Sequence, residues 1–120
     1  MPVIHVRGGA VDRPRATETL TQLARAVAAA APCDVDDVWC TFTGVDVQTI
    51  GVGVRDDDGR IVYVDLWIRP RGDADAPGRA LEAACAAAAA GFAVPLDDVW
   101  GTVRLVEPSK VFAGGSLIGP

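Results

Sequence analysis

Pro2 directly follows the initial methionine. A second residue that small permits removal of Met1, which would leave Pro2 with a free secondary amine. Such an amine is a general base when neutral and a general acid when protonated. Arg69-Pro70-Arg71 supplies two guanidiniums, groups that grip a carboxylate through paired hydrogen bonds. Where amine and guanidiniums converge, neighbouring cations and loss of water both disfavour the ammonium, drawing its pKa below that of an exposed amine. Asp37 is the candidate acid, able to reach the amine or a water held beside it, and Asp36 could take the role instead. Phe112, ahead of Ala113-Gly114-Gly115-Ser116, is a candidate wall for an apolar pocket, with Trp39 a second.

Each of these residues also has a plainer reading. Proline is common at a chain start, and Arg69 and Arg71 could be a solvated loop pair beside Asp73 and Asp75. Asp37 recurs in the chain as Asp98, which suits turn or cap chemistry at both places. Phe112 could be a core or interface aromatic, and Trp39 and Trp100 packing residues. His5 lies in an apolar run with no second histidine for a metal pair, so it reads as a satisfied core or surface residue and no metal site is expected. Gly51, Gly53, Gly114 and Gly115 lack the phosphate-loop spacing and its lysine, and read as turns.

The elements that must position these residues come in duplicate. Asp36-Asp37-Val38-Trp39 returns 61 residues later as Asp97-Asp98-Val99-Trp100, and the same offset pairs Leu20 with Leu81, Thr41 with Thr102 and Gly53 with Gly114. The chain is therefore a tandem duplication of one unit. Each unit opens with a strand-like run, Val3 to Val6 and Ile61 to Ile68. A helix start follows, Asp12 with Pro14 and Asp75 with Pro77. Leu20, Leu23, Ala24, Val27, Ala28 and Ala31 keep helical spacing in the first unit, as do Leu81, Ala84, Cys85, Ala88, Ala89 and Phe92 in the second. The repeated Asp-Asp-Val-Trp leads a second strand, Val38 to Thr43 and Val99 to Val106, parallel to the first if the helix is a crossover.

The expected fold class is thus α/β (α+β): two fused βαβ units forming a mixed four-stranded sheet with two helices on one face. The opposite face is expected to carry Val, Ile, Trp and Phe uncovered, which predicts self-association.

Composition narrows the function classes. Sixteen acidic against 11 basic residues give a formal charge of -5, and Lys110 is the only lysine, so nucleic acid is not an expected partner. The alanine-rich stretch near Ala83 to Ala90 is too short and too weakly apolar to span a bilayer, so no membrane partner is expected. Three cysteines without CxxC spacing fit a reduced cytoplasm.

The Met-Pro start, the duplicated βαβ units and the Phe112-Ala113-Gly114-Gly115 hairpin together resemble the tautomerase superfamily over essentially the whole chain. Ile68-Arg69-Pro70-Arg71, followed by an acidic turn and a helix, is most similar to the malonate semialdehyde decarboxylase group. That group's catalytic set is the N-terminal proline, an aspartate and the two arginines. Carried over, these are Pro2, Asp37, Arg69 and Arg71, with Arg69, Arg71, Phe112 and Trp39 meeting the substrate. The resemblance implies a tautomerase/MIF-like domain over residues 1–120, with repeat unit one at 1–59 and unit two at 60–120. It further implies a homotrimer, no cofactor, and keto-enol tautomerisation or decarboxylation of a small 2-oxo or 3-oxo carboxylic acid. Two alternatives stand beside it: a catalytically altered binding or structural trimer, and an isomerase or cyclase of a larger metabolite. The helix after Arg71 begins with two more Ala, Pro and Gly residues than the decarboxylase group shows, and Trp39 and Cys40 replace more polar residues. The tyrosine and glutamate that mark the chloroacrylate dehalogenase branch have no counterpart.

Overall fold

The computed structural model describes residues 2–55, 61–70 and 73–119. Strand β1 (Val3–Gly9) leads to helix α1 (Arg13–Ala30), and a one-turn helix at Val35–Asp37 leads to β2 (Trp39–Val45). A small hairpin follows, β3 (Thr49–Ile50) and β4 (Gly53–Val54). The second unit repeats the plan with β5 (Val62–Ile68), α2 (Ala76–Phe92), a turn at Leu96–Asp98 and β6 (Val99–Leu105), and ends in the hairpin β7 (Phe112–Ala113) and β8 (Ser116–Leu117). The sheet order is β2-β1-β5-β6. Strand β1 pairs parallel with β2, β5 pairs parallel with β6, and β1 meets β5 antiparallel, the arrangement expected of two βαβ units.

Alternation in the strands decides what each face of the sheet does. Ile4 and Val6 of β1, with Val62, Val64, Leu66 and Ile68 of β5, point to the helices and are buried. They meet Leu23 and Val27 of α1 and Ala80, Ala84, Ala88 and Phe92 of α2 in one core. Alanines along α2 let that helix lie close to the sheet, so Leu81 and Cys85 reach Gly101, where a Cβ would come within 2.6 Å of Cys85 Sγ. The two helices also touch each other. Thr19 is buried against Gly91, whose carbonyl accepts a 3.1 Å hydrogen bond from Arg15 Nε. Burial pushes the Cys40 thiol, on the helix side of β2, up to about 11. It therefore stays protonated across the neutral range.

The face away from the helices differs in content from the expected run of Val, Ile, Trp and Phe. The same alternation sends Ile4, Val6, Val62, Val64, Ile68 and Phe42 inward, where Phe42 packs on Phe92 with ring centroids 5.1 Å apart. Three rows cross the open face instead. Trp39, Val3, Trp67 and Arg104 form the first; Thr41, His5, Asp65 and Thr102 the second; Thr43, Arg7, Tyr63 and Trp100 the third. Cations lie over the aromatic rings in the outer rows, Arg104 over Trp67 and Arg7 over Tyr63, each 5.2 Å from the centroid. In the middle row a 2.6 Å hydrogen bond joins His5 Nδ1 to Thr41 Oγ1, and Thr102 Oγ1 donates to Asp65 at 2.9 Å. His5 is thus a surface histidine satisfied by a threonine. The uncovered face is aromatic at its two ends and polar across its middle.

The helix starts differ from each other. Asp12 caps α1, its side chain accepting from Arg15 N at 2.9 Å. Asp75 occupies the equivalent position of α2 without a side-chain cap. Asp73 takes over there, accepting from Asp75 N and from Arg79 at 2.8 Å each. Those two bonds hold its carboxyl below the usual carboxylate range. No helix among the described residues is long and apolar enough to cross a membrane.

The Thr19–Gly91 contact generates a paired prediction. Alanine in a helix interior is favoured over glycine by about 1 kcal/mol, yet a Cβ on Gly91 collides with the Thr19 side chain, whereas one on Gly78 of the same helix meets nothing within 4 Å. Gly91→Ala is expected to destabilise the fold by about 1–2 kcal/mol, the overpacking cost exceeding the helical gain. Gly78→Ala is expected to leave stability unchanged or raise it by up to about 1 kcal/mol. Urea unfolding midpoints of the two variants measure this difference.

Candidate functional site

The antiparallel register of β1 and β5 sets Val3 opposite Trp67. Carried one residue further, it brings Pro2 beside Ile68 and Arg69 at the end of β5. The Pro2 carbonyl accepts a 3.0 Å hydrogen bond from Trp39 N, which ties the start of the chain to the head of β2. Pro2 is buried, and with Ile68, Arg69, Cys33, Ala76 and Pro77 it lines a cavity of about 90 Å³. That volume holds roughly three waters, the size of a carboxylate or oxo head group.

Arg69 also lines a second space. A groove of about 200 Å³ runs from it between Trp39, Trp67, Val111, Phe112 and Ile118. The hairpin that carries Phe112 is turned by Gly114 and Gly115, both at positive φ, 63° and 86°, as a tight two-residue hairpin turn requires. Arg69 is half-buried between the two spaces. Its guanidinium has no ion pair or hydrogen bond among the described residues, because Asp73, the nearest expected acid in sequence, is engaged by Arg79 at 2.8 Å. A half-buried cation without a counter-ion is a ready acceptor for an external carboxylate. Arg71, the second arginine of the motif, lies outside the described residues.

The aspartates are placed less simply. Asp36 and Asp37 occupy the one-turn helix before β2, but the residue that caps this turn is Asp34, which accepts from Asp36 N at 3.0 Å. Neither Asp36 nor Asp37 uses its carboxylate within the turn, and both are exposed. Neither lines the two spaces that Arg69 joins. The structure therefore brings together Pro2, Arg69, Trp39 and Phe112, and leaves Asp37 at the mouth of β2, two residues before Trp39.

The second repeat shows what became of the same position there. Asp98 is held by Arg55 through a 3.2 Å ion pair, and Arg55 follows the β3–β4 hairpin. The Gln48 side chain donates to Ile61 O at 2.7 Å and accepts from Ile61 N at 3.0 Å, clamping the backbone that leads into β5. Where the first repeat leaves Asp37 without a side-chain contact among the described residues, the second has a clamped backbone and a neutralised aspartate. Sequence reasoning passed over Trp67, Val111, Ile118 and Cys33 as site walls. Strand alternation marks Trp67, which shares the open face with Asp65 and Tyr63, but nothing in spacing marks the other three.

No family model matches the sequence, and no curated protein matches it. Solved structures do resemble the fold. The fused 4-OT wild-type symmetric trimer is 16% identical, with 97% of this chain and 94% of that chain covered and a TM-score of 0.80. N1, a member of the cis-3-chloroacrylic acid dehalogenase family, is 20% identical over 97% and 82% of the two chains, with a TM-score of 0.79. Macrophage migration inhibitory factor of Toxoplasma gondii is 15% identical over 97% and 99%, with a TM-score of 0.76. These neighbours are tautomerase superfamily members, and the chain shares their mixed four-stranded sheet with two helices. At such identities the likeness is one of fold.

The contrast between the two aspartates can be measured. Asp98→Ala removes the 3.2 Å ion pair to half-buried Arg55 and is expected to cost about 0.5–1 kcal/mol of stability. Asp37→Ala, which breaks no contact among the described residues, is expected to stay within about 0.5 kcal/mol of the parent. Equal losses in thermal unfolding would show that the two acids play the same structural part.

Proposed function

We propose that the protein is a cofactor-independent enzyme of the tautomerase type, with Pro2 as its acid–base group and a small oxo carboxylic acid as its substrate. The observation that carries this reading is the shared cavity of Pro2 and Arg69, in which the cation has no counter-ion among the described residues. In it, Met1 is removed and the Pro2 nitrogen faces a substrate whose carboxylate rests on Arg69, with Arg71 as the second grip. As a neutral amine, Pro2 takes the proton from an enol hydroxyl and returns one to the adjacent carbon, converting enol to ketone. As an ammonium it polarises the carbonyl of a 3-oxo acid, the chemistry of a malonate semialdehyde decarboxylase-like reaction. Asp37 orients the amine or a water from the head of β2.

The reading extends to assembly. The fused 4-OT neighbours are trimers, and the uncovered sheet face with its exposed Trp39, Trp67 and Trp100 offers a surface for self-association. We infer a homotrimer of single-domain chains, repeat units 1–59 and 60–120, working in the cytoplasm. The placement of Arg69 in cavity walls rather than out in solvent favours catalysis over a purely structural trimer.

Intact mass of the purified protein, paired with ultraviolet assays of enol decay for phenylenolpyruvate, tests the acid–base assignment. The expected outcome is loss of Met1 and a rate that falls on the order of 10² or more in Pro2→Ala. A rate indifferent to Pro2, or activity in protein that retains Met1 and so has only an amide nitrogen there, would remove Pro2 from the mechanism. Release of carbon dioxide from malonate semialdehyde in the same preparations separates the decarboxylase from the tautomerase.

A further inference from the structure

Arg69 can hold an external carboxylate only while no acid of its own chain takes its place. Asp65, four residues before it, belongs to the open sheet face and is engaged by Thr102 and Arg104. Asp73, four residues after it, is joined to it by a stretch of chain that keeps the two Cα atoms within about 14 Å. The turn at Asp73 also adjoins the Pro2 cavity. Its carbonyl accepts a 3.1 Å hydrogen bond from Ala76 N, and Ala76 and Pro77 are walls of that cavity together with Arg69. A bare carboxylate in this turn would pair with Arg69 or, short of pairing, repel an incoming anion.

The Asp73 carboxylate is not bare. Its Oδ1 accepts from Asp75 N and its Oδ2 from Arg79 Nη1, each at 2.8 Å. Arg79 stands one turn into α2, its backbone N bonded to Asp75 O at 3.1 Å, and a helical side chain leans back over the turn before it. That direction carries the guanidinium onto Asp73. The two side chains are 47% and 54% exposed, so the pair adds little to stability. Its effect is on where charge lies. We propose that Arg79 is a positioning residue for the proposed reaction: by holding Asp73 Oδ2 it neutralises the acid beside the cavity and keeps Arg69 free for the substrate carboxylate. The inference rests on the Pro2–Arg69 reading above for where that carboxylate binds. It adds that affinity for the substrate depends on a residue outside the cavity walls.

Binding and turnover by the full-length protein test this. The binding probe is oxamate, an unreactive carboxylate with a neighbouring carbonyl, and NMR follows the Arg69 Nε–H resonance, assigned by its loss in Arg69→Lys. Arg79→Ala is expected to raise the oxamate Kd about two- to fivefold, the range set by one exposed ion pair. Adding Asp73→Asn to Arg79→Ala is expected to return the Kd to that of the parent, because Asn keeps the acceptor for Asp75 N and carries no charge. Adding Asp75→Asn instead must not restore it. The effect of Arg79→Ala must also shrink above roughly 0.1 M salt, where the Debye length falls below about 10 Å. In turnover of phenylenolpyruvate the same variant is expected to raise KM by the same factor and to leave kcat as in the parent.

The outcomes separate the two readings. Pro2-dependent turnover with an unchanged Kd in Arg79→Ala overturns the positioning role and leaves the acid–base assignment standing. A weakened Kd that persists when Asp73→Asn is added also overturns it, because Arg79 would then act by shaping the walls at Ala76 and Pro77 rather than by neutralising an acid. The expected Kd pattern without Pro2-dependent turnover keeps the positioning role and overturns the assignment. An Arg69 resonance that oxamate leaves unmoved in the parent overturns both the positioning role and the carboxylate grip. Should Arg79→Ala fail to fold, Arg79→Gln removes the same charge and must raise the Kd likewise.

Discussion

Where β1 runs antiparallel to β5, Val3 meets Trp67, and that register carries the start of the first repeat to the end of the second repeat's first strand. Within each repeat the parallel pairs are made through a helix, and among the described residues it is the β1–β5 pairing that joins the two repeats across the sheet. It sets Pro2 next to Arg69, and it places His5 beside Asp65 near the pseudo-twofold axis. A slip of one residue would turn every side chain of β1 to the opposite face and send Ile4 and Val6 out of the core. Burial of those two residues with Val62, Val64, Leu66 and Ile68 is what holds the register. The candidate chemistry thus depends on ordinary hydrophobic packing on the far side of the same strands.

Duplication supplied the scaffold, and divergence made its two ends unequal. Both repeats place an Asp-Asp turn ahead of their second strand. In the second repeat Arg55 and Gln48 close the position, one by pairing with Asp98 and the other by clamping the peptide at Ile61. In the first repeat the hydrogen bond that ties Pro2 among the described residues runs through its carbonyl, which leaves the nitrogen side of the residue outside that contact. One fold therefore presents one open position and one closed copy of it. The tautomerase-type neighbours share the sheet and helices, and the difference between the repeats belongs to this chain's own residues.

Much of the fold was legible in the sequence because repetition and periodicity are cheap to read. The offset between Trp39 and Trp100 marks the repeat, while the alternation in β5 and the helical spacing through Leu23 and Val27 correspond to contacts that burial enforces. The open face was less legible, since a run such as Val62-Tyr63-Val64-Asp65-Leu66-Trp67 looks apolar until its alternate members are separated, and only the structure shows that rows from four strands align. Of the candidate site, the convergence of Pro2 with Arg69 followed from pseudo-symmetry. The aspartate did not follow, because whether Asp34, Asp36 or Asp37 caps the turn depends on backbone geometry that identical residue types do not distinguish. The α2 start stays at Asp75, but the side-chain hydrogen bonding there falls to Asp73, whose carboxylate catches both Asp75 N and Arg79 and thereby leaves Arg69 without an acid from that turn.

The central claim is that Pro2 bears a titratable amine in the field of Arg69. The measurement that meets it most directly is an isotope-edited NMR titration of the Pro2 nitrogen, run on the parent protein and on Arg69→Ala. The account predicts a single titrating amine with a pKa below the roughly 7.7–8.0 of an exposed chain terminus, rising when the neighbouring guanidinium is removed. A nitrogen that does not titrate, or one whose pKa is the same with and without Arg69, would contradict it.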